Sequence, residues 1–191
     1  MARQNKHIRF QVAHKAAQMI AEEGISDYGF AKRKAARFFG LLDQDALPSN
    51  NEINDAIKEH QSIFSNGEHE MRLKVLRLEA LTLMKKLITF NPHLSGNVLD
   101  GTVGRYPTLN IEVYADSMKE IEFFLLNHNI MYETRDLKSH QKYRMQDKKI
   151  IPILILEGLN APIKLFIYDI EDLKKNSQRG SIQQVKKLLA L

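Results

Sequence analysis

The spacing of apolar residues changes near residue 91 of the chain. Before this point apolar positions recur every three or four residues, which predicts amphipathic helices. Glycine and capping-type residues separate these stretches and mark where helices begin and end. The first predicted helix ends at Gly24, and the second runs from Ser26–Asp27 to Gly40. The third begins at Ser49, with Glu52 at capping-box spacing, and the fourth runs from Glu68 to Phe90.

After residue 91 the chain alternates between short apolar segments and two amphipathic stretches, DSMKEIEFFLLNHN and the closing SIQQVKKLLAL, which predict helices. The short segments have the length and the flanking turn residues of β-strands. The order predicts an α+β fold in which a helical N-terminal unit precedes a small mixed β-sheet flanked by helices. We expect the helical unit over residues 1–67 and the sheet domain over residues 68–191, including the long fourth helix. The predicted strands lie in LSGNVLDGT, where a short strand runs into a glycine turn, and in TLNIEVYAD, IMYET, KIIPILILEGL and APIKLFIYD.

The segment TLNIEVY alternates strictly between apolar and polar positions. Such a period of two predicts a strand with one face in the core and the other face toward solvent. The polar side carries an amide and a carboxylate at positions i and i+2, so both point the same way. The faces are Leu109, Ile111 and Val113 on one side, and Asn110, Glu112 and Tyr114 on the other.

A small-residue turn, Gly101–Thr102, lies seven residues before Asn110-Ile111-Glu112, and a later strand carries Lys164. This order resembles the nucleotidyltransferase superfamily of the polymerase-β type. In that family a Gly-Ser turn at the end of one strand is followed, after seven to thirteen residues, by Asp-x-Asp on the next. A third carboxylate lies on a later strand. The layout is also similar to a group of bacterial proteins with a helical first half before a degenerate nucleotidyltransferase domain.

The resemblance implies roles for these residues. Gly101, Thr102, Arg105 and Lys164 would contact the phosphates, and Glu112 with Asn110 would take the catalytic positions. Glu112 would also be the remaining ligand of Mg²⁺, the cofactor that the family uses. Since an amide replaces one carboxylate and a lysine another, we expect a degenerate site. It would bind a nucleotide or a nucleic-acid end, with weak or no transfer activity.

Two alternatives are open. An active nucleotidyltransferase could complete a rearranged metal site with Asp100 or Asp116. Alternatively, the chain is a non-catalytic module that binds nucleic acid or protein through its helical half. In that case the basic face of the second helix, Arg33, Lys34 and Arg37, would contact phosphates. A second basic segment covers residues 135–149. The phenylalanines at 38–39 and at 123–124 are expected in the core because of their helical spacing, which places the first pair beside Tyr28, Ala31 and Ala35.

Composition restricts these options only in part. The chain of 191 residues has no cysteine, which excludes disulfides, thiolate catalysis and cysteine-ligated zinc. Its formal net charge of +5 makes a nucleotide or nucleic acid a plausible partner without requiring one. No secretory signal is recognisable in the first residues, and the longest apolar run, IIPILIL, is too short to cross a bilayer. We therefore expect a cytoplasmic protein with no membrane partner; the sequence indicates no oligomeric state.

Overall fold

The computed structural model describes residues 2–25, 27–41, 47–64, 67–136, 151–174 and 178–190. The described residues contain seven α-helices, five β-strands and two 3₁₀ helices, so the predicted α+β class is confirmed. The α-helices are α1 (Ala2–Glu23), α2 (Tyr28–Phe38), α3 (Asn50–Phe64), α4 (Glu68–Lys86), α5 (Asn97–Asp100), α6 (Met118–Asn127) and α7 (Ile182–Leu188). The strands are β1 (His93–Ser95), β2 (Leu109–Tyr114), β3 (Tyr132–Asp136), β4 (Pro152–Leu156) and β5 (Ile163–Tyr168). The 3₁₀ helices are Ile88–Phe90 and Ile170–Lys174.

Helix ends follow the local signals of the sequence. Gly24 follows the last residue of α1 with φ +74°, a left-handed conformation that favours glycine. At the start of α3, the Ser49 backbone N–H donates to the Glu52 carboxylate (2.6 Å), and Glu52 N–H donates to Ser49 Oγ (3.2 Å). This reciprocal pair is the predicted capping box. Arg9 of α1 also donates to the Glu52 carboxylate, at 2.7 Å.

Helix α2 packs through alanines, not through aromatic side chains. Ala31 and Ala35 are fully buried and Ala36 nearly so. The expectation that Phe38 and Phe39 lie in the core is wrong, because 66% and 38% of their surfaces are exposed. The same expectation is wrong for Phe123 on α6, which is 64% exposed. The buried side of the helix turns toward the alanines, which leaves Phe38, its last residue, at the margin of the packed arc.

The five strands form one mixed sheet in the order β1-β2-β5-β4-β3. Strands β2 and β5 are parallel, whereas the other neighbouring pairs are antiparallel. Pro152 is the first residue of β4, which lies inside the sheet, so this proline marks a strand start and not an edge strand. Beside β1, Gly180 forms an isolated bridge to Leu94, with backbone hydrogen bonds of 2.7 and 2.8 Å.

Strand β2 is buried on both faces. Ile111 and Val113 are fully buried, as the alternation predicts, but Glu112 and Tyr114 are only 5% and 3% exposed. The expectation of a solvated polar face is therefore wrong for these two residues. Strand β2 lies inside the sheet, between β1 and β5. Its polar side chains are therefore buried wherever other groups pack over their face of the sheet.

The chain divides into two compact units. The first contains Met1–Leu73 and Asp100–Pro107, and the second contains Lys74–Leu99 and Thr108–Leu191. The division lies within α4, six residues later than the domain boundary expected after residue 67. Residues 100–107 return to the first unit, where Gln61 Nε2 donates to the backbone oxygen of Val103 (2.7 Å). The sheet lies wholly in the second unit.

Candidate functional site on the sheet of the second unit

Strands β2 and β5 bring three candidate residues to one face of the sheet. Asn110 is the register partner of Lys164, and Glu112, two residues further along β2, is the partner of Phe166. Side chains of register partners and of positions i and i+2 point to the same side. Asn110, Glu112 and Lys164 thus share one face, which we call the polar face; it also carries His93, Ser95, Tyr114 and Tyr168.

A glycine turn approaches the polar face at Asn110, and it is formed by Gly96. This residue directly follows β1 and has φ +71°. A Cβ atom at position 96 would lie 2.8 Å from Asn110 Nδ2, closer than side-chain atoms tolerate. Thirteen residues, 97–109, separate Gly96 from Asn110. The backbone angle at position 96 therefore favours glycine, and any larger residue there would also displace the Asn110 amide.

Glu112 is held by a chain of two donors. Tyr114 Oη donates to Glu112 Oε2 at 2.9 Å, and the guanidinium of Arg179 donates to Tyr114 Oη. Arg179 Nη1 itself lies 4.0 Å from Glu112 Oε2, and both side chains are about nine-tenths buried. Arg179 also donates to the backbone oxygen of Leu173. The buried carboxylate is thus balanced by a buried cation and bound by a phenol.

Tyr114 and His93, which lie next to Glu112, favour their uncharged forms. Burial, reinforced by the neighbouring Glu112 carboxylate, raises the pKa of Tyr114, so its phenol stays protonated. Burial lowers the pKa of His93, whose ring lies edge-on to Tyr114 with centroids 5.8 Å apart. His93 Nδ1 lies 2.8 Å from the backbone oxygen of Asn91, so the neutral ring donates from Nδ1. Tyr168 stacks on Tyr114 with centroids 5.7 Å apart.

The other end of the polar face has no such partners. Asn110 and Lys164 are both half-buried. Asn110 Oδ1 is buried without a hydrogen bond, and in the described part of the chain the Lys164 ammonium forms neither a hydrogen bond nor an ion pair. A half-buried cation and an amide without partners cost free energy, which a ligand carrying acceptors and a donor would offset.

These residues do not fit a magnesium site. Mg²⁺ prefers carboxylate oxygens that are free to approach it. Glu112 already accepts from Tyr114 and faces Arg179, and the Lys164 ammonium would repel a cation. No group of three or more metal-ligating side chains occurs among the described residues. The polar face suits an anion better than a divalent cation.

The remaining phosphate-contact candidates belong to the first unit. Thr102 is fully buried, and its hydroxyl forms no hydrogen bond among the described residues. Gly101, with φ +79°, presents its carbonyl oxygen to His69 Nε2 at 3.1 Å. Arg105 is exposed, and its guanidinium lies 5.5 Å from the ring centroid of Tyr106. The candidate site on the polar face therefore consists of residues of the second unit alone.

The residues of the alternative hypotheses are also placed. Arg33, Lys34 and Arg37 are exposed on α2, and Lys34 Nζ lies 2.5 Å from Glu23 Oε2. Asp100 ends α5 and falls in the first unit, whereas Asp116 is exposed just after β2 in the second. Of the basic segment at 135–149, residues 137–149 lie outside the described ranges.

Two residues that contact the polar face, Gly96 and Arg179, were not predicted from the sequence. Gly96 carried a usable signal, since it follows a strand and its thirteen-residue spacing from Asn110 falls within that of the resembled family. Arg179 carried none. It lies sixty-seven residues after Glu112, in an irregular segment without a recognisable motif. Only the folded chain brings it to the carboxylate.

Comparison of the chain with protein-family models, with curated proteins and with solved structures gives no match. Among the described helices, none is both long enough and apolar enough to cross a membrane.

Proposed function

We propose that the second unit is a nucleotidyltransferase-like domain that binds a nucleotide, or the end of a nucleic acid, without transferring it. The observation that carries the proposal is the pair Asn110–Lys164, two adjacent polar groups on the sheet that are half-buried and lack partners. A phosphate accepts hydrogen bonds from the lysine ammonium, which acts on it as a point charge.

A nucleotide matches this pair better than inorganic phosphate does. The buried Oδ1 of Asn110 needs a donor, and phosphate oxygens are acceptors at neutral pH. A sugar hydroxyl beside a phosphate supplies both functions in one ligand. The glycine turn at Gly96 keeps the approach to Asn110 free of a side chain.

The absence of transfer follows from the state of Glu112. Nucleotidyl transfer uses two metal ions held by carboxylates to activate the attacking hydroxyl. The only acid on the polar face of β2 is balanced by Arg179 and bound by Tyr114, so it is not free to ligate a metal ion. Binding should therefore not require Mg²⁺.

Thermal shift and calorimetry with a panel of ribonucleotides, deoxyribonucleotides and inorganic triphosphate test the proposal, each with and without Mg²⁺. A ligand present at about 100 times its Kd adds about 2.7 kcal/mol to the free energy of unfolding. We expect a nucleotide to stabilise the protein equally with EDTA. Lys164→Met should abolish the shift, whereas Lys119→Met, an exposed lysine on α6, should leave it unchanged.

Two results would count against the proposal. One is the lack of any shift at millimolar concentrations of every nucleotide. The other is incorporation of label from an α-phosphate-labelled triphosphate that is lost in Glu112→Ala. That second result would instead support the active nucleotidyltransferase, with Asp116 as a candidate for the missing ligand.

A further inference from the structure

Helix α2 exposes two aromatic rings on the same side as its cations. Phe30 and Phe38 are 51% and 66% exposed, although large aromatic side chains are normally buried. Both lie on the solvent side of the helix together with Arg33, Lys34 and Arg37, at spacings of three and four residues. We call the set Phe30, Arg33, Lys34, Arg37 and Phe38 the aromatic-basic face.

The order along this face is ring, three cations, ring. Phe30 and Phe38 are eight residues apart, which corresponds to about 12 Å along a helix axis. The cations fill the two turns between them. We infer that the aromatic-basic face of α2 binds single-stranded nucleic acid, with bases stacked on the two rings and phosphates contacting the guanidinium groups between them.

The charges on the face favour a polyanion. Arg33 and Arg37 form no ion pair or hydrogen bond within the described ranges, so no described carboxylate pairs with either guanidinium. Lys15 of α1 adds a further cation, with its Nζ 4.8 Å above the Phe38 ring. Lys34 is paired with Glu23 and contributes less.

The Phe38 ring is also held in place. It is packed edge-on against Phe39, with centroids 5.2 Å apart, while Lys15 lies over it. A ring fixed before binding loses little conformational entropy when a base stacks on it. An apolar protein partner would cover the rings but would leave two guanidinium groups without counterions, so a nucleic acid is the better match.

Fluorescence anisotropy with labelled oligothymidylate and oligoadenylate of about twenty nucleotides, and with a duplex of equal length, tests the inference. We expect single strands to bind more tightly than the duplex. For about three phosphate contacts, affinity should fall about twentyfold between about 50 mM and about 200 mM salt.

Two kinds of variant separate stacking from charge. Phe30→Ala and Phe38→Ala should each weaken binding about tenfold and leave the salt slope unchanged. The double variant Arg33→Ala/Arg37→Ala should weaken binding and reduce the salt slope by about 1.4. Controls are Phe123→Ala, a 64% exposed ring on α6, and Lys186→Ala/Lys187→Ala on α7; neither should change the affinity.

Several outcomes would overturn the inference. These are no binding of single strands at low salt, equal losses with the control variants, or affinity that survives removal of both rings. Self-association that Phe38→Ala abolishes, seen by size-exclusion chromatography, would show that the face binds a second copy of the chain instead. The inference does not depend on the sheet site, because every variant that tests it lies on α2 in the first unit, whereas Asn110 and Lys164 belong to the second.

Discussion

The two ends of the polar face contrast within a few residues of the same strand. At Glu112 the polar groups are linked to one another: the carboxylate accepts a hydrogen bond from Tyr114, whose hydroxyl accepts one from Arg179. At Asn110 the amide oxygen is buried without a partner, and the neighbouring Lys164 is unpaired among the described residues. The first arrangement is complete without a ligand, and the second is not. We therefore assign the Glu112 end to the stability of the fold and propose the Asn110 end for binding a ligand.

The largest effect is expected from Arg179→Ala. Removing the guanidinium leaves the Glu112 carboxylate buried without a balancing charge and should lower the free energy of unfolding by about 3 kcal/mol. Urea denaturation of the wild type and the variant measures this loss. The double variant Glu112→Gln/Arg179→Ala is the control, since it removes both charges and should cost less than Arg179→Ala. A single and a double variant of equal stability would show that the two charges are not coupled.

Tyr114→Phe should have an intermediate effect. The change removes one buried hydrogen bond to a carboxylate and should cost about 1.5 kcal/mol. The exposed Tyr106, 70% accessible, provides a matched control, because Tyr106→Phe should leave the stability unchanged. Equal urea midpoints for Tyr114→Phe and the wild type would contradict a stabilising hydrogen bond from Tyr114 to Glu112.

A smaller effect on the free energy of unfolding is expected from the titration of His93, at the Glu112 end of the polar face. Because burial lowers the pKa of His93 below its ordinary value of 6.5, the unfolded chain binds a proton that the folded chain does not. Stability from this group is therefore present above pH 6.5 and is lost as pH falls from 6.5 toward the lowered value. His93→Gln should flatten the stability profile in that interval. Parallel profiles for variant and wild type would refute this assignment.

The smallest effect on stability is expected at the other end. Lys164→Met replaces an unpaired, half-buried cation by a side chain of similar length. It should change the free energy of unfolding by no more than about 0.5 kcal/mol in the destabilising direction. Lys119→Met serves as the exposed control in the same denaturation series. A large loss in Lys164→Met alone would mean that Lys164 has a structural role, and the contrast between the two ends would fail.

The sequence predicts the element types well because each element carries its own period and its own end signals. Strand β2 alternates, and α3 begins at a capping box that the structure contains. The placement of Asn110, Glu112 and Lys164 on one face follows from the alternation together with the parallel register of β2 and β5. The alternation could be read in advance, whereas the register is a tertiary property.

The predictions were wrong where two neighbouring stretches of sequence fitted the same structural role equally well. Two small-residue turns, at Ser95–Gly96 and Gly101–Thr102, precede β2, and the chain alone does not say which one contacts Asn110. Likewise, the helical wheel of α2 places Phe38 near the buried arc, and only the packing of the alanines shows that it lies outside. The choice in both cases depends on contacts between residues far apart in the chain.

Because Arg179 lies late in the chain, we expect Glu112 to become buried late during synthesis. Its neighbour Gly180 pairs with β1, and this pairing carries the guanidinium to a strand that is synthesised sixty-seven residues earlier. Before Arg179 has been synthesised, β2 can pair with β1, but the Glu112 carboxylate has no counterion that would allow it to be buried. We therefore expect nascent chains that stop before residue 179 to stay sensitive to protease around β2, and longer chains to become resistant.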